Sequence, residues 1–302
     1  MSKILSVFGA TGNQGGSVID AVLADPALSS EYKVRGITRD ASKPKAKTLA
    51  ERGVEVVEAD MSSVEAAAVA VKSAHTVYLV TNFWEHLSAE TELAQGKAVV
   101  DASKAAGVQR IVFSSLINVT EASSGRLSHV SHFDGKAKIE QYVRESGIPA
   151  VFFLPGLFMT GMFDMIKKGE DGVLTYALPA DGDKAQVPLF DVVADTGKFV
   201  KVALKNFDAY AGKRIHAATD YYSPNRIVAE FKEASGKEAR FVQVPADVFK
   251  GFLPPPVAQE LTENMLLLED PGYYAGAKLS HEDLEEKPTT WKDFVKANKD
   301  KW

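Results

Sequence analysis

Apolar residues in the first half of the chain fall into short runs that are separated by longer amphipathic segments. The runs are rich in Val, Ile and Phe, which is typical of parallel strands buried on both faces. The intervening segments, such as Ser42–Arg52 and Ser88–Ala106, have the spacing of helices. Successive right-handed βαβ units predict an α/β fold with a doubly wound parallel sheet. The six predicted strands are Lys3–Ala10, Lys33–Thr38, Glu55–Asp60, His75–Val80, Arg110–Ser115 and Ala150–Pro155.

The regular alternation ends after Pro155, where loops that contain glycine and proline follow. Further strands are predicted at Val187–Asp195 and Lys213–Ala218, with a helix between them at Asp195–Leu204. We therefore predict a Rossmann domain over residues 1–156, completed by strands and a helix within about 187–219. Residues 157–186 and 220–302 are predicted to form a smaller, partly interleaved C-terminal α+β lobe for a substrate or partner.

A glycine-rich turn follows the first predicted strand, and a helix begins directly after it. Gly9 permits the tight turn, Gly12 lets the backbone approach a phosphate, and Gly15 lets the helix pack closely on the strand. Free N–H groups at the start of the helix favour an anion. The turn predicts a site for a dinucleotide pyrophosphate; the alternative is an ordinary strand-to-helix turn. The cofactor-binding residues predicted here are Gly9, Thr11, Gly12, Asn13, Gln14 and Gly15.

Basic residues follow the second predicted strand, where the adenosine ribose of a dinucleotide lies in Rossmann folds. A site that prefers NAD places Asp or Glu there, about 20 residues beyond the glycines. This chain has Arg39 at that point and Lys43 four residues later. A guanidinium can bind the 2′-phosphate through two hydrogen bonds, so the pattern favours NADP(H), with Asp40 turned away from the site. The alternative is a basic surface cluster.

The ends of the third and fourth predicted strands carry further candidate cofactor contacts. Asp60 and Met61 follow the third strand, where adenine would stack and a carboxylate could accept from its amino group. Thr81, Asn82 and Phe83 follow the fourth strand. Ligands bind at the carboxyl ends of parallel strands, so we expect these residues to lie near the middle of the cofactor. The alternative for the second group is a plain turn.

Composition narrows the classes of function. The 302 residues carry a formal net charge of −5, with 45% hydrophobic and 25% charged residues. An acidic balance argues against direct nucleic-acid binding, which needs a basic surface. With 0 cysteines, thiol catalysis and disulfides are excluded. Without an apolar run of the ~20 residues that cross a membrane, and with a strand near residue 3, we expect no membrane span and no signal peptide. The expected location is the cytoplasm, or also the nucleus.

Four motifs together resemble the NmrA-like family, an atypical branch of the short-chain dehydrogenases and reductases, and match its mammalian redox-sensing members most closely. They are Gly9-Ala-Thr-Gly-Asn-Gln-Gly-Gly16, Thr38-Arg39, Thr81-Asn-Phe-Trp-Glu85 and His132-Phe-Asp-Gly-Lys136. The resemblance implies a Rossmann domain that binds NADP(H) and senses redox state through a protein partner, such as a transcription factor or metabolic enzyme. Other members reduce quinones and similar small molecules with NADPH. A homodimer is a further candidate assembly.

The catalytic hypothesis depends on the predicted helix after the fifth strand. Short-chain reductases carry Tyr-x-x-x-Lys there, and the lysine binds the nicotinamide ribose and lowers the pKa of the tyrosine. This chain keeps Lys136 and has His132 in place of the tyrosine. Either His132 is the proton donor, with Ser114 binding a substrate oxygen, or Lys136 anchors the ribose in a binding protein without turnover. Pro155 is expected to shape the backbone beside the ring.

Two other patterns are set aside. Tyr274 and Lys278 also satisfy Tyr-x-x-x-Lys, but Gly276 between them disfavours the helix that would align the pair. His129 and His132 have no third ligand arranged with them, so no metal site is predicted. The leading hypothesis is therefore an NADP(H)-binding redox sensor or regulator that acts through protein partners. The alternative is an NADPH-dependent oxidoreductase of a quinone or small carbonyl compound.

Overall fold

A parallel sheet of seven strands forms the centre of the molecule. The computed structural model describes residues 2–169 and 171–302. Numbered in chain order, the strands are β1 (Lys3–Val7), β2 (Tyr32–Thr38), β3 (Glu55–Glu58), β4 (Thr76–Leu79), β5 (Arg110–Ser114), β6 (Ala150–Pro155), β7 (Leu157–Phe158), β8 (Ile166–Lys168), β9 (Leu174–Leu178), β10 (Val187–Phe190), β11 (Arg214–Ala217), β12 (Asp220–Tyr222) and β13 (Ala239–Gln243). The order in the large sheet is β11-β6-β5-β4-β1-β2-β3, with all neighbours parallel.

Helices connect these strands and cover both faces of the large sheet. They are α1 (Asn13–Ala24), α2 (Pro26–Glu31), α3 (Pro44–Glu51), α4 (Val64–Val71), α5 (Ala89–Ala105), α6 (Val119–Ala122), α7 (Ser131–Ser146), α8 (Met162–Met165), α9 (Thr196–Lys205), α10 (Phe207–Tyr210), α11 (Pro224–Ser235), α12 (Ala246–Gly251), α13 (Pro255–Leu266) and α14 (Trp291–Asn298). Short 3-10 helices lie at Phe83–Glu85, Met159–Gly161 and Lys299–Lys301. In the described part of the chain, no helix combines the length and the apolar character that a membrane crossing requires.

The six strands predicted for the first half of the chain are all present. Residues along each strand alternate between two buried clusters, one on each face of the sheet. Phe152 and Leu154 join the cluster beneath α5 and α7, whereas Phe153, between them, joins the cluster beneath α1 and α9. The doubly wound parallel arrangement is therefore confirmed, and continuous apolar runs are its physical cause.

The segment 187–219 contributes to two different sheets. β11 pairs with β6 as the seventh parallel strand, and α9 packs on α1. β10 does not complete the large sheet, because it pairs with β7 in parallel and β12 in antiparallel orientation. The segment therefore adds one strand, β11, to the large sheet; the buried β10 run indicated a strand but could not indicate its neighbours.

A third sheet of three strands lies in the C-terminal half, with β9 between β8 and β13. Its buried Tyr176 and the buried Trp291 of α14 belong to the same apolar cluster as Phe113 of β5. The hydrophobic core thus runs from one face of the large sheet into the C-terminal elements. The predicted division at residue 156 stays a prediction, although the core itself crosses that position.

Close contact between α1 and α9 generates a stability prediction. A Cβ at Gly197 would lie 2.3 Å from the Ser17 carbonyl oxygen and 2.5 Å from Ala21 Cβ. We expect Gly197→Ala to lower the free energy of unfolding by about 1–3 kcal/mol, because backbone must move to admit the methyl group. Urea denaturation measures the change. Gly251→Ala is the matched control, since a Cβ there meets nothing within 4 Å. Equal stability of both variants would contradict the close-contact argument.

Candidate functional site

The turn between β1 and α1 leaves the start of a helix open to an anion. Gly9 has a φ of +65°, which ends the strand, and the Gly12 N–H donates to the Gly9 carbonyl oxygen at 2.9 Å. A Cβ at Gly15 would lie only 2.3 Å from that oxygen, so the residue must be glycine for the helix to approach. No described side chain caps α1, and its first turn carries no acidic residue. Backbone N–H groups and the helix dipole therefore favour negative charge at Asn13.

The side chain of Gln14 connects the turn to the centre of the sheet. Its Oε1 accepts hydrogen bonds from the Tyr78 hydroxyl at 2.9 Å and from the Ser114 hydroxyl at 2.8 Å. Tyr78 and Ser114 are fully buried, and burial raises the pKa of Tyr78. This network holds α1 against β4 and β5. The predicted roles of Gln14 on a cofactor and Ser114 on a substrate are not visible in it, because the two side chains bind each other.

Arg39 extends from the end of β2 across to the segment after β4. Its guanidinium forms an ion pair with Glu85, and 67% of its side chain is exposed. Asp40 turns away, because its Oδ1 accepts from the backbone N–H of Ser42 at 2.9 Å and from its hydroxyl at 2.6 Å. These hydrogen bonds lower the pKa of Asp40. Arg39 is therefore free of its neighbouring carboxylate, as the sequence analysis expected.

Two lysines, an aspartate and a methionine among the predicted residues lie on the segments that follow β2 and β3. Lys43 is exposed directly before α3, and Lys45 Nζ lies 3.4 Å from the carbonyl oxygen of Thr11. Asp60 accepts from the Ser62 backbone and hydroxyl; these bonds, with a smaller contribution from the charge of Arg39, lower its pKa. Met61 beside it is half-buried and packs against the core.

A buried charged cluster lies where β4 ends and α7 passes. Lys136 Nζ donates to the Thr81 carbonyl at 3.3 Å and its hydroxyl at 3.0 Å, and forms an ion pair with Glu92. The Thr81 hydroxyl donates to Glu92 Oε1 at 2.7 Å. Burial lowers the pKa of Lys136, and the Glu92 carboxylate opposes that shift. Among the described residues, Glu92 Oε2 is buried without a hydrogen-bond partner.

Two glycines allow α5 and α7 to approach closely enough for this cluster. A Cβ at Gly135 would lie 3.1 Å from Glu92 Oε2, and one at Gly96 would lie 2.7 Å from Ile139. Glu92 and Gly96 are one turn apart on α5, as Gly135 and Ile139 are on α7, so each pair lies on one face. The glycines therefore place Glu92 and Lys136 in direct contact away from water.

His132 is held by the C-terminal half of the chain. Its Nδ1 lies 2.6 Å from Glu260 Oε1, which also accepts from its backbone N–H at 2.8 Å. Its Nε2 lies 3.2 Å from Asn264 Nδ2. His129 makes the same pair of contacts with Glu263, at 2.7 Å for both. Glu260 of α13 thus caps the first turn of α7, and Glu263 binds the chain just before the helix. This geometry does not support His132 as proton donor, because both ring nitrogens are occupied.

The remaining predicted residues lie along the same edge of the sheet. Asn82 is exposed, whereas Phe83 is buried, with its ring 5.8 Å from that of His132. Pro155 is buried at the end of β6, where it is paired with Ala217 of β11. The rejected Tyr274 donates from its buried hydroxyl to the carbonyl oxygens of Leu154 and Ala217, which agrees with a structural role.

The profile of the NmrA-like family matches residues 1–295 of this chain. The chain belongs to the NmrA-like family. The NmrA-like family domain-containing oxidoreductase ptmS of Penicillium ochrochloron is 32% identical over 259 residues, which cover 80% of this chain and 76% of that protein. The predicted closeness to mammalian members stays a prediction.

Solved structures confirm the fold of this NmrA-like chain. NmrA, a negative transcriptional regulator solved in complex with NADP, superposes with a TM-score of 0.80 at 21% identity, over 98% of this chain and 94% of that one. The NADPH-dependent quinone oxidoreductase QOR2 of Escherichia coli, complexed with NADPH, gives a TM-score of 0.78 at 21% identity over 98% and 99%. At this identity the likeness concerns the fold.

Three carboxylates of this NmrA-like site were not among the predicted site residues. Glu92, Glu85 and Glu260 contact Lys136, Arg39 and His132, and they lie 44, 46 and 128 positions away along the chain. A weak signal for Glu92 was its place four residues before Gly96, because this spacing puts both residues on one face of α5. Glu85 closes the motif that begins at Thr81, but no local pattern indicated its contact with Arg39, and none indicated Glu260.

The α7 cap generates a prediction about His132. We expect His132→Ala to lower the free energy of unfolding by about 1–3 kcal/mol, because the buried Glu260 and Asn264 lose hydrogen bonds. Urea denaturation measures this, with the exposed His86→Ala as control. Unchanged stability together with lost catalytic turnover would instead support the proton-donor hypothesis.

Proposed function

We propose that this NmrA-like protein binds NADP(H) along the carboxyl edge of its seven-stranded sheet and is an NADPH-dependent oxidoreductase of small molecules. The observation that carries the proposal is the order of groups along that edge. Arg39 follows β2, the glycine turn follows the adjacent β1, and Lys136 reaches the end of β4 on the other side. This order suits a 2′-phosphate, a pyrophosphate and a nicotinamide ribose in turn.

The residues present fit such a cofactor. A Cβ at Gly12 would lie 3.2 Å from the Gly9 carbonyl oxygen, so glycine allows the turn to close tightly. The missing side chain also leaves the backbone accessible to a phosphate. The uncapped start of α1 has N–H groups to donate, and Arg39 is exposed beside it. Thr11, Asn13, Lys43, Asp60, Met61, Asn82, Phe83 and Pro155 remain predicted contacts around this path.

Lys136 is the residue that we assign to the nicotinamide half. Bound NADPH would supply the hydride. Lys136 has three N–H donors, directed in this structure at Thr81 and Glu92, and it can exchange one of them for a ribose hydroxyl. Glu92 balances its charge in the dry contact between α5 and α7. A substrate oxygen would take its proton from Lys136 or from water, because His132 is fully engaged.

The oxidoreductase assignment draws on the relatives that are about 30% identical and carry that name. The second candidate is a regulator that binds NADP(H) without turnover and acts through a protein partner. The engaged ring of His132 favours it, since no free acid stands where short-chain reductases place tyrosine. Incubating NADPH with a panel of quinones and aldehydes distinguishes the two. Consumption supports the oxidoreductase, whereas tight binding without consumption supports the regulator.

The proposed site for the 2′-phosphate gives a prediction about cofactor choice. We expect Arg39→Ala to weaken NADPH binding roughly 10- to 150-fold, because a charge-assisted contact of ~1.5–3 kcal/mol is lost. NADH, which lacks the phosphate, should bind as before. Calorimetric titration of both cofactors measures this, with the exposed Lys33→Ala of the same strand as charge control. Equal losses for both cofactors would refute the assignment of Arg39.

The proposed role of Lys136 gives a second prediction. We expect Lys136→Met to weaken NADPH and NADH to a similar degree, because both carry the nicotinamide ribose, and to abolish any NADPH consumption. Titration and NADPH absorbance measure these effects on variants first shown to be folded by circular dichroism. Unchanged affinity for both cofactors would exclude Lys136 from the ribose.

A further inference from the structure

The ion pair between Arg39 and Glu85 crosses the edge of the sheet above the glycine turn. Arg39 follows β2 and Glu85 ends the short 3-10 helix that follows β4. In the sheet, β1 lies between these two strands, and all three run in parallel. The pair therefore joins the two sides of the turn that begins at Gly9, along the path that the proposed cofactor would take.

Among the described residues, the other charged groups around Arg39 make no ion pair or hydrogen bond with it. Asp40 accepts a hydrogen bond from the Ser42 hydroxyl, and Asp60 accepts one from the Ser62 hydroxyl. The charge of Arg39 makes a small contribution to the lowered pKa of Asp60. His86 Nε2 lies 4.0 Å from Glu85 Oε1, the oxygen that Arg39 also contacts. Glu85 is therefore the carboxylate that occupies the guanidinium.

We propose that Glu85 is a specificity-determining residue that competes with the 2′-phosphate of NADP(H) for Arg39. This inference rests on the proposed function. The guanidinium of Arg39 has five N–H donors and contacts Glu85 through Nη1, so a phosphate that binds bidentately to the edge formed by Nη1 and Nη2 displaces Glu85. NAD(H) has no 2′-phosphate and leaves the pair intact. Glu85 thus lowers the affinity for NADP(H) but not for NAD(H), and so reduces the preference for NADP(H) over NAD(H).

The exposure of the pair sets the size of this effect. Arg39 is 67% and Glu85 32% exposed at the side chain, and exposed ion pairs contribute about 0.2–1 kcal/mol. A phosphate that makes a stronger charge-assisted contact with Arg39 can therefore displace Glu85. We therefore expect Glu85 to reduce NADPH affinity by up to about 5-fold.

The test is calorimetric titration of NADPH and NADH into the full-length wild type and Glu85→Gln. We expect the Kd for NADPH to fall about 1.4- to 5-fold in Glu85→Gln and the Kd for NADH to stay the same. Glu90→Gln, which removes an exposed carboxylate in the first turn of α5, is the matched control and should leave both values unchanged. An equal gain for NADH, or an equal gain in Glu90→Gln, would overturn the inference in favour of a general charge effect.

A double-mutant cycle with Arg39→Ala separates this inference from the proposed function. With Arg39 removed, Glu85→Gln should no longer change the affinity for NADPH. If Arg39→Ala weakens NADPH while Glu85→Gln alone has no effect, the competition is refuted and the assignment of Arg39 stands. If Arg39→Ala leaves NADPH binding unchanged, both the assignment of Arg39 and the role of Glu85 are refuted.

Discussion

The parallel pairing of seven strands is the constraint on which the candidate site depends. Because every strand of the large sheet runs in the same direction, its carboxyl ends all meet at one edge. The glycine turn, Arg39 and Thr81 follow three neighbouring strands, and they are adjacent only for that reason. Helices on both faces shield the sheet from water. Each crossover returns the chain to the opposite edge, so that the next strand again ends at the carboxyl edge.

Within that frame, the position of Lys136 is set by the close approach of α5 and α7. Glycine at positions 96 and 135 removes the side chains that would separate the helices, so Glu92 and Lys136 meet in a buried contact. Removing one member of a buried pair costs more than the pair contributes, because the remaining charge is left without a partner. The site therefore tolerates a cation at Lys136 only together with Glu92.

The C-terminal half of the chain also builds this site. Glu260 of α13 binds the backbone N–H of His132 in the first turn of the helix that carries Lys136, and Glu263 binds that of His129 just before this helix. Negative charge at a helix start is favourable, and these two contacts join groups 128 and 134 positions apart in the sequence. The contacts of α13 therefore help to position the helix that carries Lys136.

The sequence by itself determined the features that depend on short-range pattern. Apolar runs and their spacing specified the six strands of the first half, and the spacing of Gly9, Gly12 and Gly15 specified a turn that approaches a helix. These features are local because they need only the period of a strand or the absence of a Cβ. Tertiary structure alone decided the partners of β10, the engagement of His132 by Glu260, and the contacts of Arg39 and Lys136 with Glu85 and Glu92. Each of these joins groups distant in the chain, and their meeting depends on how sheets and helices pack, which no local pattern records.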